Sequence, residues 1–129
     1  MSVPDIGQST ARRLYAAATA GGDEPFELAE DVASDLAAAC DTLVGDLARA
    51  RTEATTATEV SGFPDLPTGH ALTAGFRDKG SEFLDTLTAL QETALLFKAA
   101  YLAASKRFAD ADAANKAAID LVAARLEFR

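Results

Sequence analysis

FRDKGSEFLDTLTALQETALLFKAAYLAASKRFADA, residues 76–111, decides the fold. Phe76, Gly80, Phe83, Leu87, Leu90, Ala94, Phe97, Tyr101, Ala104, Phe108 and Ala111 step four, three, four, three throughout. A helix gathers residues three and four apart onto one face, so this spacing predicts a heptad seam of five repeats. With Thr68 placed to cap it, the helix is expected over 70–112, about 65 Å long at ~1.5 Å per residue.

Working upstream, TATEVSGFPDLPTG collects Gly62, Pro64, Pro67 and Gly69, which is turn chemistry, so 57–69 reads as a connection. Before it, Val32, Leu36, Ala39, Leu43, Leu47 and Ala50 form another stripe, widened by Cys40 and Val44. A helix over 25–56 follows, with Pro25 in its first turn and Glu27 and Glu30 at the positive end of its dipole. Asp5 and Gln8 have capping-box spacing ahead of Ile6, Leu14 and Ala17, predicting a short helix over 6–20 that Gly21-Gly22 end.

The fold class expected is therefore all-α. It is an elongated antiparallel helical hairpin with a short additional N-terminal helix, in one domain spanning 1–129 that dimerisation would complete as a bundle. Phe76, Phe83, Leu87, Leu90, Phe97 and Tyr101 are expected to hold the hairpin seam. Leu84, Leu95 and Leu102 flank it as a second, weaker strip, read either as the seat of the short helix or as a partner interface. Ile119, Val122 and Leu126 keep helical intervals in 113–129, a tail that either continues the rod or folds separately.

The chain has 129 residues, 49% of them hydrophobic, yet no Trp and 7% aromatics; much of the apolar content is alanine, which favours helix and buries little area. A net charge of −8 repels phosphate backbones and anionic lipid, which argues against nucleic-acid and membrane-surface roles. The lone Cys40 forms no internal disulfide. MSVPDIGQSTARRL has no apolar h-region, so no secretory signal peptide is expected, and no run of apolar residues is long enough to span a membrane.

Chemistry finds little material. His70, at a helix start, has no nucleophile or acid at a characteristic spacing. Glu27, Asp31 and Asp35 share a face, but di-iron bundles need Glu-x-x-His pairs that one histidine cannot supply. Asp110 and Asp112, two apart on a helix, point to nearly opposite sides. With no phosphate loop, CxxC or nucleophile elbow, the expectation is no enzyme, no cofactor and no metal.

Two stretches carry a resemblance. The turn FPDLPTGHALTAGF and the ending YLAASKRFADADAANKAA are similar to actinobacterial ESX-associated helical proteins of the WXG (early-secreted-antigen-like) superfamily of type VII secretion substrates. The likeness covers about residues 25–118 and rests on the ordered combination. It implies helical hairpins that pair into four-helix dimers, with another hairpin protein or with a second copy. It also implies secretion without a Sec signal peptide, through the type VII machinery and a tyrosine-x-x-x-acid export signal. Phe108 takes the tyrosine's place and Asp112 the acid's. Trp-x-Gly is missing from the turn, where Gly62-Phe63 or Gly75-Phe76 would do the packing. The alternative from another class is a cytosolic adaptor that self-associates through the same seam.

Overall fold

The computed structural model describes residues 4–20 and 24–127. The chain is all-α: α1 (Gln8–Thr19), α2 (Glu30–Ala54), a 3-10 turn (Thr55–Thr58), α3 (Pro67–Ala104) and α4 (Phe108–Glu127). At 38 residues α3 is the longest, ~57 Å from end to end. It packs against all three other helices. The reason is compositional: from Leu84 to Ala104 α3 carries buried small and apolar residues on more than one face, and such a helix must be covered on several sides.

Helix α2 runs antiparallel to α3. Lys98 pairs with Asp41 at 2.7 Å, while nearer the turn the amide of Gln91 donates to the Val44 carbonyl at 3.3 Å and accepts from Arg51 at 2.9 Å. Helix α1 is held by the buried Glu92, whose carboxylate takes a hydrogen bond from Gln8 at 2.8 Å and faces Arg12 at 3.5 Å. At Gly7, just before α1, φ is +139°, and a Cβ there would sit 2.8 Å from Thr93 Cγ2; glycine is needed for both reasons. Helix α4 is pinned by Arg125, which donates to the buried Asp85 at 2.7 Å and to the Ser81 carbonyl at 3.2 Å.

Several boundaries differ from those expected. Helix α2 begins at Glu30, not 25: residues 25–29 form no helix, and Ala29 just before it is extended. Backbone N–H groups of this segment reach back to two helix ends, Phe26 to the Ala17 carbonyl at 3.2 Å and Leu28 to the Ala104 carbonyl at 3.0 Å. The latter satisfies a terminal acceptor that α3 leaves open. Pro25 therefore starts no helix. Helix α3 begins at Pro67, whose fixed φ suits the first helical position, and Thr68 caps nothing. The chain folds back so tightly there that a Cβ on Gly69 would lie 1.9 Å from the Pro64 carbonyl oxygen. Gly21 and Gly22, expected to end α1, lie outside the described residues.

The largest difference is at the far end. The expected helix over 70–112 stops at Ala104. Arg107 N–H donates to the Leu102 carbonyl at 2.9 Å and Lys106 N–H to Ala103 at 2.9 Å, the paired bonds of a Schellman cap. Lys106, at φ +66°, occupies the left-handed position that glycine usually takes. The chain reverses, and α4 lies back along α3 through Ala111, Ala114, Ala118 and Leu121.

Candidate functional site

Adjacent positions on a helix lie ~100° apart, so the Leu84 strip and the Phe83 seam occupy neighbouring faces of α3. The structure assigns them opposite fates. Leu84, Leu95 and Leu102, read as either the seat of the short first helix or a partner interface, are 7%, 9% and 2% exposed, covered by the chain's own helices, with α1 against Leu95 and Leu102. The cover includes α4, which the sequence left undecided. Of the expected hairpin seam Gly80, Leu87, Ala94, Ala104 and Ala111 are buried, and Leu87 is the one large side chain among them. Phe76, Phe83 and Leu90 are 56%, 51% and 38% exposed, and Phe97 and Tyr101 are half-buried.

The physical cause is side-chain size. Among the described residues, twelve of the seventeen buried hydrophobic side chains are alanine, including Ala33 and Ala37 on α2, Ala11 on α1, and Ala111, Ala114 and Ala118 on α4. Small rows of this kind let helix backbones approach closely. The branched leucines of α3 fill the seams between them, while aromatic rings such as Phe97 and Tyr15 pack at their margins. Large aliphatics on α4 go the same way: Ile119 and Leu126 are exposed and Val122 is half-buried.

What remains open are apolar stripes on α2 and α3, with Phe76 and Phe83 beside the connecting turn. On α2, Val32 and Leu43 are exposed and Leu36 and Leu47 half-buried. These share a face by three- and four-residue spacing, and Cys40 on that face lies close enough to Tyr101 to influence its ionisation. The α2 stripe and the α3 seam therefore adjoin. Phe26 packs edge-on to Tyr101 with centroids 6.4 Å apart, and Phe97 lies 6.0 Å from the same ring. At the turn, Phe63 stacks on Phe76 at 5.8 Å, so the two aromatics expected to serve the turn serve it together, with Gly62 at φ +95° just before. Asp35 and Glu53, each three residues from a stripe position, edge it with negative charge, while Asp46 is paired with Arg49.

Phe108 is the first residue of α4 and is half exposed; Asp112, one turn on, is exposed. The aromatic-x-x-x-acid step therefore opens a helix where the sequence expected it to close one. Tyr15 of α1 reaches Asp112 with its hydroxyl at 3.4 Å. Burial and then the Asp112 charge push the Tyr15 phenol above its ordinary range. Asp110 is engaged separately, with Arg107 at 2.7 Å.

The remaining titratable candidates are quiet. His70 pairs with Asp65 at 2.6 Å in an exposed position. Cys40 is half-buried, and burial followed by the Asp41 charge pushes its thiol up, which disfavours the nucleophilic thiolate. No group of three or more metal-ligating side chains gathers among the described residues, and none of their helices is long and apolar enough to cross a membrane.

Comparison of the chain with protein-family models, curated proteins and solved structures returns no match.

Proposed function

We propose that this chain is a non-enzymatic interaction protein that works by helix association through the open stripe of α2 and α3. Its part would be that of a type VII (ESX) secretion substrate or co-secreted partner. The observation that supports the reading is the stripe itself. Phe76, Phe83 and Leu90 on α3 and Val32 and Leu43 on α2, at heptad-like spacing, stand 38–56% exposed on two antiparallel helices, which is the surface a second helical hairpin would cover as a four-helix bundle.

The occupant is a hairpin of another sequence, bearing basic side chains beside its own apolar stripe. Two copies of this chain would bring together two charges of −8 and two acidic edges. Phe108 and Asp112, on one exposed face of α4, are the address read by the translocase.

Two experiments test the parts separately. Phe83→Asp should abolish capture of the partner in a pull-down from the native host while leaving the circular dichroism unchanged. Sedimentation of the purified chain is expected to show a monomer, and a tight homodimer through the stripe would favour the cytosolic adaptor. Expressed in a host with an active ESX system, the chain should appear in culture filtrate and Asp112→Ala should stay in the cells. Retention of the unaltered chain beside an exported sibling would defeat the export half alone.

A further inference from the structure

We propose that the cavity where the end of α2, the middle of α3 and the end of α4 meet is a binding site for a compact phosphate-type dianion. It measures about 730 Å³, within the usual range for small-ligand sites, and Arg51, Arg77, Arg125, Ser81 and Thr55 are among its lining residues. Three guanidinium groups converge there in a chain whose net charge is −8, and no acidic side chain lines the cavity among the described residues.

The charges do not balance. Asp85, behind the cavity wall, answers Arg125 at 2.7 Å. Arg51 meets only a neutral partner, donating to the Gln91 side-chain oxygen at 2.9 Å. Arg77 is exposed and enters no ion pair among the described residues. Among the described residues three positive charges thus face one carboxylate, an excess of positive charge at the cavity. Partial burial and the Arg125 charge both pull the Arg51 guanidinium down from its ordinary value, the expected response of two cations sharing a partly dry site. A dianion placed between them removes that repulsion. Guanidinium forks match phosphate oxygens in a bidentate way.

The hydroxyls refine the chemistry. Ser81 Oγ accepts from Arg125 at 3.1 Å, so its own proton is available to a ligand oxygen. The hydroxyls of Thr52 and Thr55 donate to the helix carbonyls of Ala48 and Arg51, so their oxygens are left to accept. They suit a phosphate proton or a hydroxyl on the group that carries the phosphate. The net charge of −8 on the whole chain opposes long polyanions, which leaves small ones.

Titration calorimetry on the full chain tests this with inorganic phosphate, pyrophosphate, glycerol phosphate and sulfate. Saturable one-to-one binding of at least one phosphate probe, stronger than sulfate, is expected. Preference for glycerol phosphate over the inorganic probes identifies an esterified source, and the reverse order a free one. Arg51→Gln and Arg77→Gln should each weaken binding at least about tenfold, the scale of one lost charge-assisted hydrogen bond. Arg13→Gln, on the exposed side of α1, should change nothing. Arg51→Gln removes a like charge, so its melting temperature without ligand should hold or rise, and Arg77 is exposed enough to replace without unfolding. Absence of saturable binding by every phosphate probe overturns the proposal, as does equal binding in both arginine variants or sulfate binding as well as phosphate.

Discussion

Two faces of α3 carry apolar residues at the same heptad spacing, and they end in opposite places. The Leu84, Leu95 and Leu102 face is closed over by the other helices, while the Phe76, Phe83 and Leu90 face looks outward. Spacing alone does not separate them. The neighbours do, because α1, α2 and α4 present alanines to α3, and an alanine row favours a close approach in which leucine is enclosed and a phenylalanine such as Phe97 is left at the margin. In a chain this rich in alanine, the small residues mark the buried contacts and the large ones mark what is left for another molecule.

The contrast breaks most severely where α4 is pinned. Asp85→Asn leaves Arg125 buried without its carboxylate and should cost about 3–5 kcal/mol. It should also uncover the leucine face, seen as a lowered denaturation midpoint and faster proteolysis at residues 105–107. Leu102→Ala, at the most deeply covered leucine, should cost about 2–5 kcal/mol in chemical denaturation, the range for truncating a core leucine. Phe83→Ala, one face over, should stay within about 0.5 kcal/mol. Equal losses, or the reverse order, would mean the faces are assigned wrongly.

A smaller effect sharpens the α1 edge of the contrast. Burial, followed for Tyr15 by the Asp112 charge and for Tyr101 by Cys40, raises both phenols above 10.0. A raised phenol favours folding while it is neutral. Its contribution is whole below pH 10.0 and fades as pH climbs through the higher folded value. Stability followed against pH, beside tyrosinate absorbance, should therefore decline above about pH 10, and less so in Tyr15→Phe.

Helical content, the turn and the existence of α1 were legible from periodicity and from Pro and Gly placement. Also legible, in hindsight, was the centrality of α3: Leu84, Thr88, Leu95 and Ala99 make it apolar beyond a single seam, which is the mark of a helix covered on several sides. The stop at Ala104 was not legible, because the position that glycine normally announces holds Lys106. The arginine cavity was equally hidden. Arg51, Arg77 and Arg125 are far apart along the chain, each reads as ordinary solvated surface, and only the reversal at Lys106 brings the third to the other two.

That reversal has a mechanical side. A lysine in left-handed geometry is strained by about 1–2 kcal/mol relative to glycine, so the corner behaves as a weak spring biased toward straightening. Nothing in the corner's own sequence forbids α3 and α4 from joining into one rod; the clasp of Arg125, the alanine row, the Arg107–Ser34 bond to α2 and the Tyr15–Asp112 contact keep them doubled. Lys106→Gly should relax the spring and raise the melting temperature by a few degrees. In the natural chain, whatever loosens the clasp lengthens the molecule.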